Sequence, residues 1–223
     1  LRDLHKTFNP GTIHEKAALQ GLSLHLLPGD FVTIIGSNGA GKSTLAKMLC
    51  GLQKNSSGTV LWAGKPMSRR LRRKKAYMVM QDVGHQLFTD SVAAECALGI
   101  KTPNKDKIDC ALEKVDLLAY KERHPLSLSG GQMQRLVVSN ICGKELLVFD
   151  EPTSGLDLKS MEEVGTLTRS LATQGKVLLI ITHDIEFMMQ ICTRILFIRD
   201  GEIVEDLSGG QKEKIVRLLR GEE

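Results

Sequence analysis

The sequence predicts an α/β fold built around a mainly parallel central sheet. Two observations support this prediction. Short apolar runs rich in β-branched residues, such as Phe31–Ile35 and Val177–Ile181, alternate with segments of helical periodicity. A glycine-rich loop also stands between the first of these runs and a helical segment. Strands that alternate with helices favour parallel pairing with right-handed crossovers.

The other elements follow from the same patterns of periodicity and turn residues. In chain order, we expect strands near residues 22–26, 31–35, 59–62, 76–80, 145–149, 176–182 and 195–199. We expect helices near 44–51, 132–141, 159–173, 185–190 and 211–220. Residues 88–140 are largely helical in pattern and are interrupted at Pro103-Asn104. This stretch predicts a small helical insertion into the α/β core.

Composition limits the class of protein. The 223 residues suit one compact domain, with 42% hydrophobic and 25% charged residues. The longest strongly apolar stretch, Val177–Ile181, is far shorter than the roughly 20 residues of a membrane helix. Any link to a membrane should therefore come through a partner. The five cysteines form no CxxC pair, which favours reduced thiols over a metal site.

A basic run is the densest charged segment of the chain. Six of the seven residues from Arg69 to Lys75 are Lys or Arg. One interpretation is a patch for nucleic acid or anionic lipid. The simpler one is a solvated edge or loop before the strand at 76–80, because no aromatic residue interleaves the charges. We therefore expect no nucleic-acid partner.

The glycine-rich loop has the G-x-x-x-x-G-K-[ST] spacing of a phosphate-binding loop. Its nine residues are Gly36, Ser37, Asn38, Gly39, Ala40, Gly41, Lys42, Ser43 and Thr44. The glycines let backbone N–H groups turn toward a β-phosphate, and the following helix N-terminus adds positive potential. Lys42 should contact the β- and γ-phosphates, and the Ser43 hydroxyl should ligate Mg²⁺. The expected cofactors are therefore ATP and Mg²⁺.

Acidic side chains follow a second apolar strand. Asp150 ends the run Leu146–Asp150, and Glu151 comes next. Ligands of open α/β sheets bind at the carboxyl edge, so we expect Asp150 to hold Mg²⁺ and Glu151 to activate water as a general base. His183 follows the next apolar strand in the same way. We expect it to sense the γ-phosphate and to orient Glu151 and the attacking water.

The run Leu128-Ser129-Gly130-Gly131-Gln132 lies between the phosphate loop and the acidic strand. In this order the motifs resemble the nucleotide-binding subunits of ABC transporters over essentially the whole chain. The resemblance implies a P-loop NTPase with an antiparallel β subdomain and a small helical subdomain, in one domain over residues 1–223. It also implies a head-to-tail pair with an identical or paralogous second ATPase subunit. Ser129, Gly130, Gly131 and Gln132 would then cap the ATP of that partner.

The resemblance assigns three further positions. Gln81 matches the glutamine that reaches the metal and the membrane partner. Ser154 and Asp157 belong to a segment, Ser154-Gly155-Leu156-Asp157, that resembles the loop linking the two active sites across the dimer. Phe8 is the candidate for stacking on adenine, and a place in the core is the alternative. We expect the stretch that follows, Asn9 to Ala18, to be an extended loop.

The same pentapeptide occurs a second time, as Leu207-Ser208-Gly209-Gly210-Gln211. A second ATP-capping element is one interpretation of this copy. We favour a serine-capped helix after a glycine turn, because this copy lies after His183, where the family has no capping element.

Two local segments indicate different kinds of importer. Gln81-Asp82 with residues 86–92 resembles the ATPases of energy-coupling-factor importers, which take up vitamins and transition-metal ions. The segment from Phe8 to Thr12 instead resembles ATPases of amino-acid-type uptake systems. A soluble ABC ATPase that acts on ribosomes or DNA is a further alternative. We expect an integral membrane transporter subunit as partner, and a peripheral location at the cytoplasmic face of the membrane.

Overall fold

The structure is a computed structural model. It describes residues 1–98, 102–139, 141, 143–154, 158–191, 193–208, 210–211, 214–215 and 217, with the backbone alone at 158–160 and 189–191.

A six-stranded sheet forms the centre of the molecule. Its spatial order is β7-β8-β9-β3-β10-β11, and every neighbouring pair is parallel except β10 and β11. The strands are β3 (Phe31–Ile35), β7 (Ala76–Val79), β8 (Leu146–Asp150), β9 (Val177–Ile181), β10 (Arg194–Arg199) and β11 (Glu202–Ser208). This confirms the predicted mainly parallel sheet. The carboxyl ends of β8 and β9 meet in register, with Asp150 opposite Ile181.

A separate antiparallel sheet is formed by the N-terminal part of the chain. Its order is β2-β1-β4, with β1 (Arg2–Phe8), β2 (Lys16–Leu22) and β4 (Ser57–Thr59). A two-stranded pair, β5 (Leu61–Trp62) and β6 (Lys65–Pro66), follows it.

Helices cover the central sheet, and three of them lie between β7 and β8, where the helical insertion is predicted. They are α1 (Lys42–Leu49), α2 (Arg69–Lys75), α3 (Val92–Ala97), α4 (Lys105–Lys114), α5 (Gly130–Ser139), α6 (Leu158–Thr173) and α7 (Ile185–Ile191). Short 3₁₀ turns occupy Val83–Gln86, Leu118–Tyr120 and Pro125–Ser127.

The sheet separates two apolar clusters because successive strand residues point to opposite faces. In β8, Leu146 and Val148 join the cluster that contains α1, whereas Leu147 and Phe149 join the cluster that contains α5. All four are buried. A strand that is buried on both faces has a continuous apolar sequence. For this reason the segment could be predicted as a strand from the sequence.

The predicted strand at 22–26 is wrong. The strand β2 ends at Leu22, which pairs with Leu4, and residues 23–27 form no strand. Leu24 is nevertheless buried, and its backbone N–H donates to the carbonyl of Leu1. Alternating leucines here reflect contact with the core and not sheet pairing. The loop expected over 9–18 is correspondingly shorter, since β2 begins at Lys16.

The basic run is a helix, and the expected loop is wrong. Ser68 caps α2 by accepting a hydrogen bond from the Leu71 N–H at 3.3 Å, which fixes its first turn. Strand β11 was missed, because its polar and apolar residues alternate only irregularly. The predicted helix at 211–220 lies largely outside the described residues.

Candidate nucleotide site

Two positions of the phosphate loop require glycine, because the backbone of a neighbouring strand lies too close to them for a side chain. Gly36 has φ of 150°, and a Cβ there would lie 2.1 Å from the carbonyl oxygen of Ile198. Gly41 has φ of 108°, and its Cβ would lie 2.4 Å from the carbonyl oxygen of Ala18. Both conformations strain an L side chain, and both contacts exclude one. The loop therefore keeps its shape by packing on β10 and β2.

Lys42 is buried at the start of α1 and folds back over the loop. Its Nζ donates to the carbonyl oxygens of Gly36 and Ser37, at 2.6 and 3.0 Å. Burial lowers the pKa of Lys42, and the carboxylates of Glu151 and Asp150 oppose that shift. A cation held in this position, beside a helix N-terminus, could bind a phosphate group.

Ser43 and Asp150 come together from the first turn of α1 and the end of β8. The Ser43 Oγ donates to the Asp150 Oδ1 at 3.4 Å. The hydroxyl and carboxylate oxygens are donors that Mg²⁺ prefers, and its remaining positions are commonly filled by water and substrate phosphates. The two residues therefore fit a magnesium ion that is bound together with a nucleotide.

Glu151 occupies an unusual backbone conformation directly after Asp150. Its φ is 51°, a left-handed value that costs a non-glycine residue roughly 1–2 kcal/mol. Its N–H donates to the carbonyl of Ile181 at 2.8 Å, which ties the turn to the end of β9. The Nε2 of His183 lies 3.4 Å from the Glu151 Oε1. The turn thus brings a carboxylate and an imidazole together at the carboxyl edge of the sheet.

These groups share one cleft of about 610 Å³. It is lined by Phe8, Lys16, Ala18, Asn38, Gly39, Gly41, Lys42, Ser43, Thr44, Gln81, Asp150, Glu151, Ile181 and His183. The structure therefore places Phe8 at the cleft, with the Lys6 Nζ 4.7 Å from its ring centroid. A volume of this size suits a small-molecule ligand.

Lys16 and Ala18 are cleft residues that the sequence reasoning missed. They lie two positions apart on β2, so their side chains leave the same face of the strand. That signal was hidden because residues 9–18 were expected to form a loop.

The run from Ser129 to Gln132 opens α5 and does not contribute to the lining of the cleft among the described residues. The Ser129 N–H donates to the Gln132 Oε1 at 2.9 Å, and the Gln132 N–H donates to the Ser129 Oγ at 3.3 Å. This reciprocal pair is a capping box, with Ser129 itself exposed. The helix N-terminus is thus available to an anion that approaches from outside.

Two contacts fix α5 to the rest of the molecule. The buried Gln134 donates to the carbonyl of Pro152, directly after Glu151, and Arg135 pairs with Glu163 of α6. The helix that carries Ser129 is therefore attached to the turn that carries Glu151.

Gln81 and Ser154 approach each other at the side of the cleft. The Gln81 Nε2 donates to the Ser154 Oγ at 3.4 Å, and both residues are exposed. Asp157 lies outside the described residues, so its predicted contact across a dimer stays a prediction.

The fold and the site define a nucleotide-binding P-loop domain of the ATPase class, with a phosphate loop after β3 and adjacent carboxylates after β8. Residues 19–154 match the protein family described as ABC transporter. That match covers more than half of the chain, and the chain therefore belongs to the ABC transporter family.

Relatives agree with this assignment. A putative ABC transporter ATP-binding protein from Treponema denticola is 54% identical over 205 residues, which are 91% of this chain and 42% of the relative. A similarly described protein from Pyrococcus horikoshii is 35% identical over 200 residues, covering 84% of this chain and 76% of the relative. The chain thus spans less than half the length of the Treponema relative.

Solved structures are similar over nearly the full chain. CbiO1 from Clostridium perfringens, described as part of the ABC transporter complex CbiONQ, has a TM-score of 0.83 and 28% identity, covering 99% of this chain and 92% of its own. A dimeric ATP-binding cassette in a post-hydrolysis state, bound to ADP and Pi, has a TM-score of 0.79 and 26% identity, covering 93% and 97%. Among the described residues, no helix has both the length and the apolar character needed to span a membrane.

Proposed function

We propose that residues 1–223 act as one ATP-binding and ATP-hydrolysing domain that powers substrate import by a membrane ABC transporter. The observation that carries the proposal is the arrangement of the cleft. A buried lysine, a hydroxyl, paired carboxylates and an imidazole all meet at one edge of the sheet. Family membership supports the same class of activity.

Nucleotide binding would depend on the phosphate loop and α1. Lys42 would exchange its contacts with the Gly36 and Ser37 carbonyls for the β- and γ-phosphates of ATP. Phe8 would stack on the adenine, since it lies at the same cleft. Ser43, Asp150 and Gln81 would hold Mg²⁺, which neutralises phosphate charge when bound.

Hydrolysis would depend on the contact between Glu151 and His183. Glu151 would accept a proton from the attacking water as the water oxygen bonds to the γ-phosphorus, while the bond from that phosphorus to the bridging oxygen breaks and ADP leaves. His183, at 3.4 Å, would hold the carboxylate in position and contact the γ-phosphate. The strained φ of Glu151 supports this role, because such backbone conformations concentrate at functional sites.

A second ATPase subunit, identical or paralogous, would complete each site. Ser129, Gly130, Gly131 and Gln132 would cap the γ-phosphate of ATP bound to the partner, because the exposed N-terminus of α5 offers N–H donors and a hydroxyl. Ser154 and Asp157 would lie in the loop between the two sites. The dimeric cassette similar to this chain supports that arrangement.

The import role is supported by the likeness to CbiO1 and by the segment around Gln81. CbiO1 is described as part of a transporter complex. We propose that this domain likewise binds an integral membrane subunit at the cytoplasmic face of the membrane. The energy-coupling-factor type, which imports vitamins or metal ions, fits the residues from Gln81 to Val92 best.

The phosphate-loop assignment is tested by the substitution Lys42→Ala, with Lys47→Ala as the matched control. Lys47 lies on the same helix and is exposed. Losing the buried cation should weaken ATP binding by roughly 2–5 kcal/mol, whereas the control should bind as the parent does. Isothermal titration calorimetry measures both. Unchanged affinity of the Lys42 variant would refute the assignment.

The transport assignment needs a separate test. We expect an integral membrane protein to co-purify with the affinity-tagged chain from its native membranes and to raise its ATPase rate. Stimulation by ribosomes or by DNA ends, with no membrane partner recovered, would favour the soluble alternative instead.

A further inference from the structure

A second cavity lies at the opposite edge of the central sheet from the nucleotide cleft. Its volume is about 890 Å³. The first residues of four parallel strands line it, namely Ala76, Leu146, Val177 and Arg194. The nucleotide cleft is instead lined by residues at and after the ends of β8 and β9. The two cavities are therefore separated by the length of the strands.

The wall of this cavity is mainly apolar. Leu24, Leu49, Val60 and Met67 are buried residues that line it, and the half-buried Trp62 forms another part of the wall. The volume falls within the range of roughly 300–1,000 Å³ that is usual for small-molecule sites. Size and lining alone suit any apolar molecule.

Arg72 gives the cavity a chemical preference. It belongs to the basic helix α2, but unlike its exposed neighbours it is only 4% exposed and lines the cavity. One terminal nitrogen donates to the carbonyl of Met48, at the end of α1. The Nε is buried with no hydrogen-bond partner, and Arg72 forms no ion pair among the described residues. A buried guanidinium without a carboxylate is costly.

The acidic residues of the cavity do not supply that carboxylate. Glu145 is paired with Lys75. Asp206 accepts two hydrogen bonds from Arg194, at 2.7 and 2.6 Å. Arg2, a further cation of the wall, is exposed to water. The buried charge left uncompensated in the cavity wall is therefore positive and belongs to Arg72.

We infer that this cavity binds an amphipathic organic anion, a monocarboxylate with an apolar chain. The carboxylate accepts hydrogen bonds from the Arg72 guanidinium, and the chain lies against Trp62 and the buried leucines and valines. The apolar chain of the ligand matches the apolar wall of the cavity, and its single negative charge matches the buried Arg72. The site is independent of the proposed ATPase function, since it shares no residue with the nucleotide cleft.

Trp62 makes the proposal measurable, because it is the single tryptophan of the chain. Decanoate is titrated while tryptophan fluorescence is recorded, and decanol serves as the uncharged probe of equal chain length. We expect decanoate to bind about tenfold more tightly, because its carboxylate compensates the buried guanidinium charge and the decanol hydroxyl does not. Equal affinity of the two probes, or no change in fluorescence, would overturn the proposal.

Substitutions assign the preference to one side chain. Arg72→Met should remove the preference for decanoate over decanol, and Arg72→Lys should restore part of it. The matched control is Arg70→Met, which removes an exposed charge from the same helix and should change nothing. Circular dichroism shows whether Arg72→Met folds. If it does not, the affinities of the two probes for the parent chain and for Arg72→Lys still test whether Arg72 causes the preference for decanoate.

Competition with nucleotide separates this site from the proposed ATP site. Decanoate should bind equally well with saturating ATP and in the Lys42→Ala variant, because the two cavities lie at opposite edges. Displacement of decanoate by ATP would show that the probe occupies the nucleotide cleft and would refute a second site. Failure of the ATPase proposal would leave the Trp62 measurement unaffected.

Discussion

The serine and the glutamine of the two Ser-Gly-Gly-Gln segments share one hydrogen bond but lie in different surroundings. In both, the serine N–H donates to the glutamine Oε1, at 2.9 Å for Ser129 and Gln132 and at 3.2 Å for Ser208 and Gln211. The first copy opens α5, which is packed in the core and tied to the turn after β8. The second copy begins at Ser208, the last residue of the edge strand β11, next to Leu207, which packs with Ile215 in a smaller cluster.

The difference shows what a short motif determines. The motif fixes a local hydrogen bond from the serine N–H to the glutamine side chain, because that bond spans only three positions, and in the first copy it is part of a helix cap. It does not fix which anion could reach the segment. Gln134 links the first copy to Pro152 and hence to Glu151, whereas Lys214 links the second copy to Glu205 of β11. The predictions below compare the two surroundings in pairs.

The largest expected effect concerns one carboxylate on the segment linked to each copy, namely Glu151 after β8 and Glu202 at the start of β11. Glu151→Gln should lower the ATPase rate by about 10²–10⁴-fold, since it removes the proposed general base. Glu202→Gln, on β11, should leave the rate unchanged. Steady-state phosphate release measures both variants. Normal turnover by the Glu151 variant would exclude this residue as the base, and we expect that variant to accumulate as an ATP-bound dimer.

The serines themselves come next. Ser129→Ala should lower the ATPase rate by about a hundredfold, because a donor to the partner's γ-phosphate is lost. Ser208→Ala should not change it. Equal loss of activity in both variants would refute the assigned difference between the two serines. Size-exclusion chromatography with ATP shows whether dimer formation changes together with the rate.

The contacts that anchor each segment should differ in their contribution to stability. Gln134→Ala should lower the free energy of unfolding by about 1–3 kcal/mol, because it removes a buried hydrogen bond to the Pro152 carbonyl. Lys214→Ala should cost less than about 1 kcal/mol, since its ion pair with Glu205 is partly exposed to water. Urea denaturation gives both values. Equal losses would mean that the two segments are anchored equally well.

The smallest effect is expected for the glutamines of the two segments. Gln132→Ala and Gln211→Ala each remove one hydrogen bond to a serine N–H, and each should cost about 0.5–1 kcal/mol. The same urea denaturation measures this pair. A large difference between the two losses of unfolding free energy would show that the two hydrogen bonds do not contribute equally to stability.

Much of the central sheet and of the phosphate loop was predictable from the sequence. The strands β3, β8 and β9 are buried on both faces and produce continuous apolar runs. The loop from Gly36 to Thr44 has a fixed spacing that specifies its chemistry. The predicted bounds of these three strands differ from the observed ones by at most one residue at each end.

The errors occurred where pairing or burial is set by distant residues. Residues 22–26 alternate like a strand but lack a partner strand, so β2 ends at Leu22. Lys16 was missed at the cleft because residues 9–18 were expected to form a loop, whereas Lys16 pairs with Phe8 of β1. Nothing in the run Arg69 to Lys75 distinguishes Arg72, which alone of its six cations is buried.

By itself, the sequence determined the parallel α/β core and the phosphate loop. These depend on periodicity and on hydrogen bonds between residues close in the chain. Only the tertiary structure decided which Ser-Gly-Gly-Gln segment is attached to the carboxylate turn, how Glu151 meets His183, and that Arg72 turns into an apolar cavity. Those features depend on contacts between residues far apart in the chain, which local patterns do not encode.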